Sequence, residues 1–519
     1  MRNCSVLVLC VVLLAALTIS AAPATARQSC ESLASLKIPN ATIVSSSSFN
    51  PPTALEIPIP ASPMGPAYTL KVTLPMCRVI AYNTPTSDSH INFEVWLPPA
   101  STWNGKFEAV GNGGFIGRIT YTDLNKGFQR GYAVAGSDTG HQSDNDESWA
   151  FGHPEKIIDW SYRAVHEMAV DAKQIVQAYY GTAAKLAYWD GCSTGGKQGL
   201  TEAQRYPDDF DGVVAGAPAN YITHLQLGSE YISWVALKDG STGPGYLPPS
   251  KLPVLHKAAL AACDAKDGVQ DGIITDPPRC HFEPKTIQCA GADGPDCLTA
   301  GQVDTVQKIY AGAKYKDGKQ IFPGFEKGSE LLWGGMTTGP EPFSLGTGFL
   351  RYMVLGDPKW DFRTLDVDRD VRIADERVGK IVNAIDPNLR AFKAHGGKLI
   401  LYHGWADQGI APGNTINYYE SVIAEMGGEA NTTDFARLFM APGMAHCRLG
   451  VGPDTFDVLG ALEQWREHST PPAKMIASRE AKGKVEMTRP LCPFPQAAIY
   501  KGTGDSNDAA NFVCGTPNW

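Results

Sequence analysis

The chain has 519 residues, with 45 Lys and Arg against 54 Asp and Glu, and a formal net charge of −9. That length is too great for one simple core and predicts two domains, or one domain carrying a large insertion. The acidic balance excludes a nucleic-acid binder working through a basic stripe, and the 43% hydrophobic content is that of an ordinary globular protein.

Residues 1–26 read as an export signal. Arg2 is its charged start, Val6 to Ile19 its apolar run, and Ala24, Thr25 and Ala26 the small residues before the cut. The run is short for a bilayer, and Pro23 follows it. No later stretch is apolar enough for a membrane helix. The mature chain is expected to be secreted, extracellular or periplasmic, with a net charge of about −10 once Arg2 is gone. Of 12 cysteines, Cys4 and Cys10 leave with the signal. The remaining even number predicts disulfides in an exported chain, with connectivity left open by counting. No C-x-x-C pair suggests zinc.

Arg27 to Pro66 is rich in Ser, Pro and Ala and predicts an irregular segment. Tyr68 to Val79 and Ile91 to Leu97 alternate as half-buried strands do. Trp103 to Val110 is a further strand, running into Gly111-Asn112-Gly113-Gly114-Phe115-Ile116-Gly117. G-x-G-x-x-G is absent there, so the loop reads as a donor of a backbone N–H to an oxyanion hole rather than a phosphate cradle. Tyr132 to Ser137 predicts a strand, Trp160 to Tyr180 a helix, and Ala183 to Trp189 a strand. Gly199 to Tyr206 predicts a helix, and Gly212 to Ala217 a short buried strand. Strands alternating with helices predict a mostly parallel sheet covered on both faces, an α/β fold. From about Tyr221 to Arg390 the pattern breaks, and 221–390 reads as an inserted lid between core parts 27–220 and 391–519. The sheet resumes at Lys398 to Gly404 and Ala436 to Met440. A helix follows at Asp454 to Glu467, then a last strand at Lys474 to Ser478 and an irregular tail.

The chemistry is expected at Gly191-Cys192-Ser193-Thr194-Gly195. A G-x-S-x-G sequence between a strand and a helix sets a serine on a sharp turn with its hydroxyl at the tip. A serine needs a base to take its proton and an acid to orient that base. In this architecture the chain order is Ser, acid, His. Asp407 follows the strand ending at His403-Gly404, and His446 follows the strand ending at Met440. Cys192 and Cys447 adjoin Ser193 and His446, and a disulfide between them would staple nucleophile to base. Thr194 and either Gly113 or Gly114 are the candidate oxyanion donors.

A second motif lies in the insertion, from Asp264 to Asp276. Clustered aspartates with interleaved glycines suit Ca²⁺, which takes six to eight oxygens. The candidate ligands are the side chains of Asp264, Asp267 and Asp271 and the carbonyls of Val269 and Ile273. One structural ion is expected, and Cys263 and Cys280 flank the loop as a disulfide candidate. Trp360, Phe362, Arg363, Arg369 and Arg372 are candidates to line a pocket for an aryl acid.

Together these residues resemble the tannase and feruloyl esterase family of secreted serine esterases, which includes a branch acting on mono(2-hydroxyethyl) terephthalate. The likeness covers nearly the whole mature chain. It is carried by Gly191 to Gly196, His403 to Asp407, Gly443 to Cys447, the aspartate loop and Arg489-Pro490-Leu491-Cys492-Pro493. The resemblance implies an α/β-hydrolase core with an inserted lid, a Ca²⁺ site in the lid, and a triad of Ser193, Asp407 and His446. It implies pairings Cys30–Cys77, Cys192–Cys447, Cys263–Cys280, Cys289–Cys297 and Cys492–Cys514. It implies a small aromatic ester as substrate, with galloyl, hydroxycinnamoyl or terephthaloyl as acyl group; charge and hydropathy, separately, predict no nucleic-acid or membrane partner. Thr194 is similar to the feruloyl esterase-like members; the terephthalate branch carries Glu after the nucleophile. The contrasting class is a calcium-stabilised extracellular binding protein on an idle hydrolase scaffold, and peptidase activity is a third reading; the intact triad disfavours the binding protein.

Overall fold

A computed structural model describes residues 27–61 and 65–518. The export signal expected over 1–26 lies outside the described residues. Among the described residues, no helix is long and apolar enough to cross a membrane.

The centre is a nine-stranded sheet of β1 (Ala41–Phe49), β2 (Met76–Asn83), β3 (Ile91–Leu97), β4 (Phe107–Val110), β5 (Ala133–Ser137), β6 (Ala187–Cys192), β7 (Gly212–Gly216), β8 (Lys398–Gly404) and β9 (Ala436–Ala441). Their spatial order is β1-β2-β3-β5-β4-β6-β7-β8-β9. Every pair from β5 through β9 is parallel, and the pairs from β1 to β5 are antiparallel. β5 and β7 are buried along their whole length and carry only small and β-branched residues. Strands covered on both faces need no polar alternation.

Side chains alternate between two cores. Phe107, Trp189, Val213 and Leu399 pack on one face with the helix α1 (Ala164–Tyr180). Tyr188, Val214 and Ile400 pack on the other with Leu462 of a C-terminal helix (Val458–His468). Along α1 the residues Val165, Met168, Ala172, Ile175 and Val176 recur at helical spacing and are buried. The helix stops at Gly181, whose φ of 74° is the left-handed cap expected of glycine.

Residues from Ile222 to Val382 build a third core of their own, with Leu255, Val306, Trp333, Phe349 and Val371 at its interior. Ala384 and Leu389 already belong to the sheet. This insertion core continues onto Phe115, Trp160 and Ile410 of the sheet domain, so it sits over the loops at the carboxyl ends of the parallel strands.

The termini are more regular than their composition predicts. β1 is an edge strand, paired Ala41↔Asn83 through Phe49↔Met76. Its Ser45 to Ser48 run offers no apolar contrast, which hid the alternation. The expected single strand from Tyr68 to Val79 is two: Tyr68–Val72 pairs with Leu55–Ile59, and β2 starts after Pro75, which has no N–H for a ladder. The tail forms two hairpins, Met475–Ala481 with Lys484–Leu491 and Ala497–Tyr500 with Phe512–Gly515. All five disulfides implied by the resemblance are formed, at Cα separations from 5.0 to 6.0 Å.

Candidate active site

Strand β6 delivers its chain into Ser193, whose φ of 65° and ψ of −122° lie where side-chain-bearing residues rarely go. The helix α2 (Thr194–Arg205) starts at the next residue, earlier than periodicity predicted. The strained turn is held from outside: Ser193 N–H donates to the Gly216 carbonyl at the end of β7, and Ala219 N–H donates to the Ser193 carbonyl. The glycines are required by contact. A Cβ on Gly191 would lie 2.5 Å from the Gly195 carbonyl carbon, and one on Gly196 would lie 2.4 Å from the Gly216 oxygen.

β8 and β9 bring the other two side chains to the same spot. His446 Nε2 stands 2.9 Å from Ser193 Oγ, and its Nδ1 stands 2.7 Å from Asp407 Oδ2. Asp407 can only accept, so Nδ1 carries the proton and Nε2 presents its lone pair to the serine. Asp407 is fully buried with all its acceptor sites occupied. Oδ1 takes the backbone N–H groups of Gly409 at 2.7 Å and Ile410 at 2.9 Å.

His403 is the member of this group that sequence reasoning missed. Its Nε2 lies 3.0 Å from Asp407 Oδ2 and 3.0 Å from the Ile410 carbonyl. A carbonyl only accepts, so this nitrogen bears the proton, and Nδ1 accepts from the Thr415 hydroxyl at 2.7 Å. Its position four residues before Asp407 was the available signal.

Electrostatics follow the geometry. Burial pushes the Asp407 carboxyl up, but His446 and His403 outweigh it and hold the group well below the usual carboxylate range. Burial opposes the charged form of His446, yet the Asp407 charge and hydrogen bond raise its pKa above the ordinary imidazole value.

The glycine loop lies against the elbow, backbone to backbone. A Cβ on Gly111 would meet Gly195 Cα at 2.4 Å. Thr194 Oγ1 donates to the Gly114 carbonyl at 2.8 Å, and Asn145 Oδ1 accepts from Phe115 N–H at 2.9 Å. Gln198 Oε1 accepts from Asn112 N–H at 3.0 Å. Among the described residues, the amides of Gly113 and Gly114 have no protein acceptor. Together with the N-terminus of α2, they are the free backbone donors beside Ser193. Asn145 and Gln198 fix this loop, and no motif announces them.

Cys192 and Cys447 are bonded across 255 positions of sequence, with Cα atoms 6.0 Å apart. The bridge joins the residue before the serine to the residue after the histidine. The other candidates divide. Trp360 and Phe362 are buried in the insertion core. Arg369 pairs with Asp370, Arg372 with Asp368, and Arg363 lies over the Phe362 ring. These five side chains are engaged within the insertion itself.

In the aspartate loop, Asp264 accepts from the N–H groups of Asp271 and Gly272, Asp267 from Val269, and Asp271 from Ile273. Asp271 also pairs with Arg489 at 2.9 Å. Among the described residues no three of these carboxylates bring oxygens within 4.8 Å of one another, so an ion held here would have to draw them together.

A parallel sheet crossed by a strained Ser elbow, with His and a buried Asp in line, defines an α/β hydrolase. The chain belongs to the tannase and feruloyl esterase family, whose family description matches residues 77–515, and it is a carboxylic ester hydrolase. It is 36% identical to an uncharacterized esterase of Xanthomonas campestris pv. campestris, over 95% of this chain and 92% of that one. It is 34% identical to a protein of Neosartorya fischeri described as "probable feruloyl esterase B-2", over 85% of this chain and 87% of the relative. Among solved structures it is similar to feruloyl esterase B from Aspergillus oryzae, with a TM-score of 0.86 and 30% identity, over 93% of this chain and 99% of that one.

Proposed function

We propose that the enzyme cleaves esters of hydroxycinnamic acids through an acyl-enzyme on Ser193. Ser193 Oγ attacks the ester carbonyl as its proton passes to His446 Nε2. The alcohol leaves with that proton. Water, giving its proton to His446, then attacks the acyl carbon; Ser193 Oγ leaves, taking that proton back from His446, and the aromatic acid is released. Asp407 holds the imidazole in the required tautomer and stabilises its charged form. The Thr194 N–H with that of Gly114 or Gly113 carries the oxyanion. The observation behind this reading is the unbroken line Ser193 Oγ, His446 and Asp407, with links of 2.9 and 2.7 Å. The acyl preference is supported by the feruloyl esterase names of the relatives.

The test has two stages. Burst release of nitrophenol from a p-nitrophenyl ester should vanish in Ser193→Ala. A panel of methyl ferulate, methyl gallate and mono(2-hydroxyethyl) terephthalate should give ferulate the highest kcat/KM. Turnover surviving in Ser193→Ala refutes the mechanism; a gallate or terephthalate preference refutes only the acyl assignment.

Calcium in the insertion is also proposed. Asp264, Asp267 and Asp271, with the carbonyls of Val269 and Ile273, offer an all-oxygen donor set on a loop closed by Cys263–Cys280. Burial first, and then repulsion from Asp271, raises the carboxyls of Asp264 and Asp267, which a bound cation would relieve. The ion would be structural, ordering the loop without touching substrate. Export with loss of residues 1–26 belongs with these proposals, and N-terminal sequencing of secreted protein starting near Arg27 tests it.

A further inference from the structure

The only group of three metal-ligating side chains that converge among the described residues lies away from both sites above. His166 on α1, Glu202 on α2 and Asp209 in the turn before β7 bring one ligand atom each to within 4.8 Å of one another. His166 Nδ1 faces Asp209 Oδ2 at 2.6 Å, and the ring stacks on Tyr206 with centroids 3.8 Å apart. The turn is set by the Asp209 N–H donating to the Tyr206 carbonyl at 2.9 Å.

Glu202 is the independent sign that a ligand belongs here. It is 1% exposed, and neither carboxylate oxygen has a hydrogen-bond partner. A buried carboxylate left without partners is costly, and native proteins answer it with a proton, a counter-charge or a metal. A proton on Glu202 directed at Asp209 answers the need for one oxygen only. A divalent cation answers it for Glu202, Asp209 and His166 together.

We propose that His166, Glu202 and Asp209 bind a zinc ion. One imidazole nitrogen and two carboxylate oxygens suit Zn²⁺, whereas the imidazole disfavours Ca²⁺ and Mg²⁺. Tetrahedral zinc at its usual bond lengths sets ligand atoms about 3.4 Å apart. Small side-chain shifts reach that from the separations present here. His166 and Asp209 are partly exposed, which gives the ion a way in and leaves a fourth position for water. Lys173 is the competing cation: its Nζ donates to the Asp209 backbone carbonyl, lies 3.9 Å from Asp209 Oδ1 and sits over the Phe210 ring, so the ion must compete with it for Asp209. Zinc would tie α1, α2 and the approach to β7 together. Glu202 stands nine residues beyond Ser193, about 13 Å along the helix axis, so the ion stays clear of the reacting ester.

The experiment uses tag-free, full-length protein stripped with a chelator and re-equilibrated with ZnCl₂. Expected are one zinc per chain by elemental analysis, a raised melting temperature, and a visible Co²⁺ spectrum of tetrahedral type when cobalt replaces zinc. His166→Ala and Glu202→Gln should each lose all three, while Asp271→Asn in the aspartate loop keeps them. Lys173→Met should bind zinc more tightly. Esterase turnover should stay unchanged in His166→Ala. Zinc bound equally by wild type, His166→Ala and Glu202→Gln, or by none of them, overturns the proposal in favour of a proton shared between Glu202 and Asp209.

Discussion

His403 Nε2 lies 3.0 Å from Asp407 Oδ2, so the buried carboxylate is held by two imidazoles rather than one. His446 faces the nucleophile; His403 faces only Asp407, Ile410 and Thr415. A hydrogen bond to a charged group is worth about 1.5–3 kcal/mol, or about 10- to 150-fold in rate if wholly expressed at the transition state. His403→Ala should therefore lower kcat within that range with little change in KM. Steady-state kinetics check it, and an unaltered kcat would show His403 to be packing alone.

On the proposed mechanism, the pH profile of kcat/KM reports His446 in the free enzyme. Neutral imidazole is the active form, so activity falls as pH drops through its pKa. Asp407 raises that pKa above the ordinary value, so the acid limb should sit above about pH 6.5. In Asp407→Asn the raising charge is gone. The limb should move down, and kcat should fall by about 10⁴-fold as the imidazole loses its tautomer.

Removing the Cys192–Cys447 bridge frees the loops that carry Ser193 and His446 without deleting either side chain. A misplacement of about 1 Å can cost on the order of a hundredfold in rate. Cys192→Ala with Cys447→Ala should lose kcat on that scale while circular dichroism shows the fold intact. Full activity in the folded double variant would refute a positioning role.

Gly111→Ala tests the contact between the glycine loop and the elbow. The new methyl would meet Gly195 Cα at 2.4 Å, where only backbone can yield. Separation of the Gly113 and Gly114 amides from Ser193 should depress kcat by about 10²- to 10³-fold, the scale of one lost oxyanion donor. Gly113→Ala is the matched comparison, since a Cβ there meets nothing within 4 Å. Equal losses in both variants would count against the loop's role.

Chelation tests the aspartate loop. Excess EGTA should lower the melting temperature of wild type, and Ca²⁺ but not Mg²⁺ should restore it. Asp264→Asn and Asp267→Asn should blunt the response. A melting temperature indifferent to EGTA would remove calcium from the insertion.

The parallel core and the Ser193, Asp407 and His446 trio were legible because each depends on local rules. Buried strands show as apolar runs, and the elbow needs small residues in a fixed pattern. Chain order then limits where acid and base can stand. His403 was missed because it serves the site from within a strand, where a buried histidine looks like any other core residue. Asn145 and Gln198 act through single long-range hydrogen bonds and leave no periodic trace. β1 escaped because its serines carry strand geometry without hydrophobic contrast. The pocket arginines looked free in sequence, but aspartates one to four residues away claim them in three dimensions.

The insertion core reaches down to Phe115 and Ile410. One follows the Gly113–Gly114 pair, and the other donates its N–H to Asp407. On the proposed mechanism, the segment that would choose the substrate thus also walls the machinery that would cut it. A foreign insertion grafted between 221 and 390 must bring apolar partners for those two side chains, or the exchange alters turnover along with selectivity.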